Sequence, residues 1–575
     1  MKLPRLPYAD KIRQSVQVKF GGVDRGAGAE DGTVRDMRNL WSGDAPRLSV
    51  RPGRRLLRTL ETPNGLFVCG ERVFWVDGTT LYCDGAAVPW ASGLPVGGSY
   101  PSGTGGEAVM TNTEKVFCAL GERVLIWPDK VMARPAPSAG SAGSSLGEGA
   151  TPSVSLAADS SLGEGAAYVL EPLEMSVTLN ATFTDGTYAG ETAEANTIQA
   201  AVSTFRWSDY FSVGDGVTIS GASDAANNAT LVVREIDGSA LRFYENSFTV
   251  NSTAATITVA REVPDLDFLC VNENRVWGCK GDTVRCCMLG DPRNWNVFDG
   301  VSTDAWSWDT GTAGEFTAAV SFLGYPCFFK ERQIFKVYGN RPKNYETMSA
   351  ADLGVAAGSG KSLAVANETL FYLSRTGIMA YSGGIPVPVG TELGGRFRNA
   401  VGGSDGLRYY VSMADEAGQG RLYVYDALRA MWHIEDETEA LFLASQSAGS
   451  VLCLETGGEM WTTDSAAGGT AEEPVSWYAE FADYTMDSPN KKGVSKLLVR
   501  LEPASGSTAG VSIQYDSDGV WRSVASLTAQ QKRSWVLPVI PRRCDHFRVR
   551  LSGIGPCIVH SLTVESYTGS ALQRH

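Results

Sequence analysis

Short runs of alternating apolar and polar residues recur along the chain and are separated by Gly, Asp and Asn. The clearest run is Leu66–Gly85, where three strand-like segments are joined by a tight turn and an Asp-Gly turn. No long stretch carries apolar residues at the i, i+3, i+4, i+7 spacing of an amphipathic helix. The pattern therefore predicts an all-β protein.

The strand-turn-strand unit of Leu66–Gly85 returns in weaker form along the chain. Its further copies are Lys115–Trp127, Asp267–Trp277, Val320–Tyr338, Ala364–Tyr381, Arg408–Tyr425 and Ala440–Trp461. A small antiparallel sheet cannot bury both of its faces alone, and units repeating every ~40–50 residues are typical of a β-propeller. We predict six to seven blades. The alternative is a set of unrelated β-sandwiches that contain hairpins, since no kelch motif is present and Trp308-Asp309 does not recur in each unit.

The repeat is interrupted between its second and third units. Residues 134–170 are rich in Ala, Gly, Ser and Pro and contain a direct repeat, Ser144–Ala150 and Ser160–Ala166. This composition buries too little apolar surface to fold alone, and it predicts a linker. The strand-like segments of residues 171–262 are rich in Thr, Val and Ala, which indicates a small β-sandwich inserted into the propeller.

The last part of the chain, from Pro474 onward, contains about seven strand-like segments spaced as in a β-sandwich. The predicted fold is thus an all-β β-propeller with an inserted β-sandwich domain and a C-terminal β-sandwich. The predicted segments are a basic N-terminal arm (1–60), first blades (61–133), a linker (134–170), an inserted β-domain (171–262), remaining blades (263–470) and a C-terminal sandwich (471–575).

Charge is distributed unevenly along the sequence, which has a formal net charge of −14. Residues 1–60 hold 13 Lys and Arg against 6 Asp and Glu, a net charge of +7. Residues 471–575 hold 12 against 10, or +2, which leaves −23 for residues 61–470. A basic arm on an acidic body suits docking on an acidic neighbour or on phosphate, although ordinary solvated surface charge is an equal alternative for any single residue.

The N-terminal sequence has no apolar run that resembles a signal-peptide core, and no later stretch approaches the roughly 20 apolar residues of a membrane helix. We expect synthesis in a cytoplasm and a soluble protein. The 11 cysteines form no CxxC motif, so a secreted disulfide framework is not expected.

Metal and cofactor sites are not predicted. The cysteines closest in sequence, Cys270, Cys279, Cys286 and Cys287, lack the spacing of a zinc knuckle, and the histidine nearest in sequence is His433. We expect these cysteines to be buried as small apolar side chains.

Motifs for nucleophilic or phosphoryl chemistry are incomplete. Gly-x-Ser-x-Gly stands at Gly143–Gly147 and Gly402–Gly406, but neither lies between a strand and a helix as a nucleophile elbow must. Gly358–Ser362 resembles the end of a P-loop, yet Val355 stands where its first Gly belongs. With four histidines in the chain and no His-Glu-x-x-His, we expect no enzyme.

Acidic residues near one another are the remaining catalytic candidates. They are the pair Glu472-Glu473 and the run Glu435, Asp436, Glu437 and Glu439. Such groups more often form a solvated face than a glycosidase pair, but a glycosidase stays open because its two acids can be far apart in sequence. Asp516–Trp521 lacks the spacing of a calcium loop, and it predicts an Asp-Gly hairpin.

Three stretches resemble a known family. They are the opening arm with Asn39-Leu40 followed by Arg51-Pro52-Gly53, the blade edge Leu289–Phe298 with Asp291-Pro292-x-x-Trp295, and the blade Leu373–Gly383 with Ser374-x-x-Gly377-Ile378. In these motifs the chain resembles the tail-nozzle proteins of short-tailed bacteriophages, which are also called DNA-stabilisation or tail-hub proteins. The resemblance runs from about residue 15 to residue 465 and leaves out the linker, the inserted domain and the C-terminal sandwich.

The resemblance implies a virion protein that closes and extends the DNA exit channel below the portal and adaptor, retains packaged DNA and passes it during ejection. The implied partners are further copies of the chain in a homohexameric ring, the adaptor and portal proteins, tail fibres or spikes, and duplex DNA that passes without tight binding. The alternative function is a receptor-binding or glycan-binding tail protein, for which Trp295, Trp306 and Trp308 would supply stacking surfaces unless they are ordinary core residues.

Basic and apolar residues interleave in the arm, a mixture suited to a partly buried protein interface. The predicted subunit-interface residues are Arg35, Arg38, Leu40, Trp41, Arg51, Arg54 and Arg55. From this we expect removal of residues 1–55 to leave folded monomers. We also expect that a short Gly-Ser bridge can replace residues 136–262 without destabilising the remainder.

Overall fold

The computed structural model describes residues 12–26, 29, 33–91, 109–136, 167–187, 194–244, 248–351, 353–446, 449–486, 490–528, 531–540 and 542–568. Over these residues the protein is built from β-strands, and its helical elements are single 3-10 turns. The turns are Trp207–Asp209, Ala225–Asn227, Pro342–Asn344, Gly360–Ser362 and Thr391–Leu393. The fold class predicted from the sequence is confirmed: an all-β protein with a β-propeller and additional β-domains. No helix within these ranges is long and apolar enough to cross a membrane.

Five strands precede the first blade. They are β1 (Ile12–Gln17), β2 (Val34–Arg38), β3 (Leu40–Trp41), β4 (Leu48–Val50) and β5 (Arg55–Thr59). The chain divides into two compact units, Leu60–Val355 (the middle unit) and Met1–Thr59 together with Ala356–His575 (the terminal unit). All five strands therefore belong to the terminal unit.

The first two blades lie in the middle unit, and the predicted linker falls between the last two strands of blade 2. Blade 1 consists of β6 (Pro63–Cys69), β7 (Arg72–Asp77), β8 (Thr80–Cys83) and β9 (Ala86–Ala87). Blade 2 consists of β10 (Val116–Leu120), β11 (Arg123–Trp127), β12 (Val131–Pro135) and β13 (Tyr168–Pro172). The repeated Gly-Glu turns that join their first two strands use Gly70 and Gly121 at φ near +60°, which favours glycine.

The predicted linker boundaries are too wide. β12 ends at Pro135 and β13 begins at Tyr168, so both ends of segment 134–170 are strands of blade 2. The buried side chains of Tyr168 and Leu170 hold β13 in the apolar core shared by blades 1 and 2. The direct repeat Ser144–Ala150 and Ser160–Ala166 lies outside the described residues.

The inserted domain is a closed barrel rather than the predicted sandwich. Its strands are β14 (Met175–Gly186), β15 (Glu194–Ala200), β16 (Gly216–Ser220), β17 (Thr230–Asp237), β18 (Ala240–Phe243) and β19 (Asn251–Arg261). The barrel closes because β19 pairs with β14 along one edge and with β16 along the other. Its core includes the buried side chains of Phe183, Trp207 and Phe243.

Blades 3 and 4 complete the middle unit. Blade 3 consists of β20 (Phe268–Asn272), β21 (Arg275–Lys280), β22 (Thr283–Cys286) and β23 (Trp306–Asp309), and blade 4 of β24 (Ala318–Phe322), β25 (Tyr325–Lys330), β26 (Gln333–Tyr338) and β27 (Glu346–Ala351). The first strands of blades 2, 3 and 4 lie side by side, as expected when blades radiate from a common axis.

Three further blades lie in the terminal unit. Blade 5 consists of β28 (Ala364–Ala366), β29 (Thr369–Ser374), β30 (Gly377–Tyr381) and β31 (Val387–Pro388), and blade 6 of β32 (Arg398–Ser404), β33 (Arg408–Ala414), β34 (Gly420–Asp426) and β35 (Met431–Ile434). Blade 7 consists of β36 (Ala440–Gln446), β37 (Ser450–Glu455), β38 (Glu459–Thr462) and β39 (Thr470–Ala471), with β5 between β38 and β39. The described residues thus form seven blade-like sheets, and a strand from the N-terminal segment completes the last of them.

The C-terminal sandwich also incorporates the N-terminal segment. Its own strands are β40 (Ser476–Phe481), β41 (Lys492–Pro503), β42 (Thr508–Tyr515), β43 (Arg522–Leu527), β44 (Arg533–Pro538), β45 (Phe547–Ile554) and β46 (Cys557–Thr568). One sheet has the order β3-β4-β46-β41-β44 with β1 also paired to β46, and the other has the order β2-β40-β45-β42-β43. Segment 1–60 is therefore not a separate arm, because its described strands are members of the sandwich and of blade 7.

Candidate functional site

The predicted interface residues of the N-terminal segment fall into two groups. Leu40, Arg51 and Arg54 are buried within the chain. Arg35, Arg38, Trp41 and Arg55 are half-buried. Leu40 belongs to the apolar core of the terminal unit, where Met37 and Val34 of the neighbouring strand β2 are also buried.

Arg51 lies at the centre of a group of charges, which we call the arm cluster: Arg51, Arg54 and Glu435, which are buried, together with the half-buried Asp436 and the exposed Glu472. The two terminal nitrogens of Arg51 donate to the two carboxylate oxygens of Glu472, each at 2.7 Å. Its Nε donates to Oδ1 of Asn39 at 2.8 Å, which fixes the plane of the guanidinium. Arg51 therefore binds Glu472 after blade 7 and Asp436 after blade 6, as well as Asn39 in its own segment.

Arg54 makes the second set of contacts in the arm cluster. Its Nη1 donates to Oδ2 of Asp436 at 2.9 Å, and its Nη2 donates to the carboxylate of Glu435. The guanidinium carbon lies 4.0 Å from the ring centroid of Trp461 on β38, close enough for a cation–π contact. Three acidic residues thus meet two arginines, and an aromatic face covers the guanidinium of Arg54, whose Nε is buried without a hydrogen-bond partner among the described residues.

The arm cluster also shifts the titration of its acids. Burial raises the pKa of Asp436, but the charges of Arg54 and Arg51 and hydrogen bonds from Thr438 outweigh burial and lower the pKa to about 2. Burial likewise raises the pKa of Glu472, while the hydrogen bond and charge of Arg51 lower it, and the net shift is downward. Both carboxylates stay ionised at neutral pH.

The acidic run at Glu435 was expected to be a solvated face, and this expectation is wrong for Glu435 and Asp436. Glu435 is buried and Asp436 is half-buried because Arg51 and Arg54 compensate their charge. Glu437 remains exposed and pairs with Arg38 at 2.8 Å. In the Glu472-Glu473 pair both residues are exposed, as expected of a solvated face, and Glu472 also binds Arg51.

The half-buried members of the predicted interface also have partners in their own chain. The guanidinium of Arg408 lies 4.5 Å from the ring centroid of Trp41, and Arg55 donates from Nε to the backbone oxygen of Ser465 at 3.0 Å. Arg38, Trp41 and Arg55 keep part of their surface in solvent. A role of these residues in subunit contact stays a prediction.

The tryptophans proposed as stacking surfaces are in different environments. Trp295 is buried, and its Nε1 donates to the backbone oxygen of Pro292 at 2.8 Å, so the Asp-Pro-x-x-Trp motif closes on itself. Trp306 and Trp308 on β23 are half-buried, with ring centroids 6.4 Å apart and planes 20° from parallel. Both pack into an apolar cluster with Trp277 and other aromatic residues of blades 3 and 4.

The four cysteines singled out in the sequence are buried around blade 3. Burial raises the pKa of the Cys286 thiol to about 12, which makes this sulfur a poor nucleophile at neutral pH. In the ranges that the structure describes, no three His, Cys, Asp or Glu side chains are grouped so that they could hold a metal ion.

An open cleft of about 340 Å³ lies between blades 5 and 6. Phe371 and Tyr425 belong to its lining, with ring centroids 5.4 Å apart, and we take them as its floor. Its apolar walls include Ile385 and Val387, which are 81% and 58% exposed, and Ala427. The adjoining side chain of Leu428 is 59% exposed. Asn367, Thr369 and Ser382 also line the cleft, so it is a concave surface of mixed polarity, open to solvent, whose apolar side suits an apolar group.

The sequence patterns described above do not predict this cleft. One signal for it is present: Gly383-Gly384 is followed by Ile385-Pro386-Val387-Pro388, an apolar stretch that the two prolines prevent from forming a regular central strand. Apolar residues in such a segment have few partners in their own sheet. The contribution of Tyr425 and Ala427 from the next blade could not be read from that stretch.

Comparison with protein-family models gives no match, and comparison with curated proteins gives none either. Among solved structures, an exo-β-1,3-galactanase from Phanerochaete chrysosporium is similar over 51% of this chain and 95% of its own, with 9% identity and a TM-score of 0.20. A GH43 protein from Bacillus licheniformis is similar over 52% and 97%, with 8% identity and a TM-score of 0.19. A sialidase from Trypanosoma rangeli is similar over 98% and 97%, with 9% identity and a TM-score of 0.20. At such scores these likenesses carry no argument about activity or ligand.

Proposed function

We propose that this chain is a structural component of a short-tailed bacteriophage tail, a nozzle or hub protein. In this role it closes and extends the DNA exit channel below the portal and adaptor, retains the packaged DNA and passes it during ejection. It acts in the virion as a homo-oligomeric ring, with a hexamer as the expected form. Its partners are the adaptor and portal proteins, tail fibres or spikes, and the DNA that passes through.

The observation that carries this proposal is the position of the residues behind the family resemblance. Asn39 and Arg51 of the opening motif, together with the neighbouring Arg54, are contacts of the arm cluster. The blade-edge motif closes on itself through Trp295 and Pro292. Residues of the motifs that resemble those of nozzle proteins therefore help to hold this fold together, which supports a common architecture.

The tying of both chain ends into one sandwich supports a structural role. Strand β1 pairs with β46 from Ile12↔Tyr567 to Gln17↔Leu562. Strand β2 pairs with β40 in the opposite sheet. Neither of these end strands can separate without breaking sheet hydrogen bonds, and local opening at a chain end is thereby made unfavourable. A virion part that must stay folded outside the cell benefits from such protection.

A non-catalytic role is part of the same proposal. The two-acid mechanism of glycosidases needs one carboxyl group with a raised pKa beside an ionised one. In the arm cluster, arginines lower the pKa of both Asp436 and Glu472, and Glu435 is buried against Arg54. Asp436 and Glu472 therefore serve as partners of arginine and are poor candidates for the protonated acid of such a pair, although burial raises the pKa of Glu455, with a further contribution from the charge of Asp436.

Localisation in the virion tests the proposal. Antibody raised against the purified chain, detected with immunogold on intact particles, should label the axial tail below the portal. Label at the tips of fibres would overturn the nozzle proposal and favour the receptor-binding or glycan-binding alternative. Particles assembled without the chain serve as the control, and they should fill with DNA but fail to retain it.

A further inference from the structure

The terminal unit carries an apolar ridge in addition to the apolar cleft between blades 5 and 6. The ridge consists of Val536, Pro538 and Ile540, whose side chains are exposed, whereas Leu537 and Val539 between them are buried. Val536 is 61% exposed and Ile540 is 88% exposed, the latter a large unfavourable apolar surface for an isolated chain. Side chains alternate between exposed and buried along this segment, and all three consecutive exposed positions are occupied by apolar residues.

The geometry of the ridge favours docking through side chains. Its strand, β44, lies at the edge of a sandwich sheet and pairs with β41 alone. Pro538 has no backbone N–H, which blunts the edge against the addition of another strand. The ridge therefore presents side chains to a partner rather than a free row of backbone hydrogen-bond donors.

The cleft offers a partly apolar lining to such side chains. Phe371, Tyr425, Ile385 and Val387 line it together with Asn367, Thr369 and Ser382, so an aliphatic side chain that enters it exchanges water for apolar contacts with the first four. Ridge and cleft are both exposed in the same copy, so the ridge of one copy does not occupy the cleft of that copy.

Charge around the two surfaces is complementary. Lys532 and Arg533 precede the ridge in sequence and Arg542 and Arg543 follow it; all four are exposed, and Arg542 lies 4.0 Å from the carboxylate of Asp518. At the cleft, Glu368 is exposed beside the lining residue Asn367, and burial together with the charge of the exposed Glu392 raises the pKa of Tyr425. Opposite charges at the rims of two apolar surfaces favour their encounter and fix their register.

We propose that the ridge of one copy seats in the cleft of the next, with Ile540 as the inserted side chain. The inference rests on the ring of the proposed function and names the surfaces that build it. A contact between two different surfaces of the same chain is head-to-tail, and such contacts produce closed rings when the rotation between copies closes. Each copy then offers one ridge and one cleft, and a closed ring leaves none unpaired.

Cysteine cross-linking between two different variants tests the contact. Ile540→Cys and Val387→Cys are made separately in a Cys69→Ser background, since the other cysteines are buried. Mixing the two variants under mild oxidation should give about tenfold more disulfide-linked dimer than either alone, because the bond forms only when the Cα atoms approach within about 7 Å. Efficient cross-linking of Ile540→Cys with itself would overturn the head-to-tail contact.

Sedimentation separates this inference from the proposed function. Ile540→Asp should reduce the assembled fraction at least about tenfold at a fixed concentration, and Val387→Lys in the same chain should restore part of it through the new ion pair. Val520→Asp is the matched control, since Val520 is 52% exposed in the same sandwich and should leave assembly unchanged. If Ile540→Asp forms the full ring, the inferred contact is wrong and the nozzle proposal stands. If the unaltered chain never assembles, the ring of the proposed function is wrong, and the inferred contact with it.

Discussion

Arg51 and Glu472, separated by 421 positions in the sequence, form a two-point contact in which both N–H···O bonds measure 2.7 Å. The contact joins the segment before the first blade to the segment between the last blade and the sandwich. Because Arg51 is buried, solvent screens this ion pair less than it screens an exposed pair. The N-terminal segment is thus held by a buried, directional interaction rather than by general charge attraction.

Replacing Arg51 should strongly destabilise the terminal unit. Arg51→Ala removes one of the two arginines that compensate Glu435 and Asp436, and it leaves Glu472 without its two-point contact. Breaking one side of a buried ion pair costs roughly 3–5 kcal/mol, and because Arg54 retains part of the compensation we expect a loss at the lower end of this range. Urea unfolding followed by circular dichroism should show a lower midpoint by a corresponding amount.

Arg38→Ala is the control for that measurement. Arg38 pairs with Glu437 at 2.8 Å, but both side chains are more than a third exposed. Exposed pairs contribute about 0–1 kcal/mol, so the midpoint should hardly change. Equal losses of stability in the two variants would show that the arm cluster stabilises the protein no more than an exposed ion pair does.

Acidification should destabilise the protein through His433. Its two ring nitrogens are buried without a hydrogen-bond partner among the described residues. Burial lowers its pKa from 6.5 to about 4, with Arg408 and Arg429 adding to the effect and Asp426 opposing it. A histidine whose pKa is lower in the folded state binds its proton mainly when unfolded, so stability is present above pH 6.5 and falls between pH 6.5 and about 4.

The size of this loss follows from the shift in pKa and is on the order of 3 kcal/mol. Unfolding free energies measured at steps from pH 7.5 to pH 4.5 should show the fall. His433→Gln lowers stability at all pH values but should flatten the slope in this window. A slope that persists unchanged in His433→Gln would assign the pH dependence to other groups.

The barrel should be removable at boundaries different from those that the sequence suggests. Met175 and Arg261 are Cα partners at the open ends of β14 and β19, so the chain enters and leaves the barrel at adjacent points. Joining Glu174 to Glu262 through a short Gly-Ser turn should leave blades 1 to 4 folded, with a melting temperature within a few degrees of the parent.

Deletion of residues 136–262 is the informative comparison. It also removes β13, whose Tyr168 and Leu170 are buried in the core of blades 1 and 2. This deletion should lower the melting temperature and the yield of soluble protein. If the shorter excision is equally damaging, the contacts of Asn294 with Asp215 and of Arg261 with Asp215 are needed by blade 3.

Truncation of residues 1–55, which the sequence suggested would yield folded monomers, should instead prevent folding of the terminal unit. It removes β1 to β4 from both sandwich sheets, together with Arg51 and Arg54. Removal of residues 1–11 alone leaves all described strands in place and is the control. Soluble, cooperatively unfolding protein from the longer truncation would show that the sandwich folds without the N-terminal strands.

Local pattern accounts for most of the strands, and long-range pairing accounts for what the sequence did not predict. All seven copies of the repeat fall on the seven blades, because alternation and turn residues act over a few positions. The hairpin at Asp516–Trp521 is also confirmed, with Asp516 and Ser517 at positive φ between β42 and β43. Strand β15 was missed because Glu194–Ala200 has no regular apolar alternation.

The candidate site was less predictable because its residues meet only in the folded chain. Arg51 and Arg54 were identified as interface residues from their mixture with apolar neighbours, but nothing near them in sequence indicates Glu472 or Asp436 as partners. The closure of the barrel and the entry of β2 into the sandwich depend on pairings of the same long-range kind. Periodicity carries no information about which distant strand a given edge will meet.

Binding to duplex DNA should be weak or absent at physiological salt. DNA affinity arises mainly from Lys and Arg that neutralise phosphates, and it falls steeply with salt. Part of the positive charge of the N-terminal segment is committed within the chain, since Arg25, Arg38, Arg51 and Arg54 each pair with an acidic residue. The acidic body, with −23 over residues 61–470, remains uncompensated.

A gel-shift titration with random duplex DNA should therefore show no complex near 150 mM salt, as expected of a surface along which DNA slides. The first turns of blades 1, 2, 3 and 5 offer a matched gain-of-binding variant, because each carries an exposed glutamate: Glu71, Glu122, Glu273 and Glu368. Changing these four residues to Lys should create binding that weakens as salt rises. Tight, salt-sensitive binding by the unaltered chain would contradict a repelling channel and favour a basic surface that grips DNA.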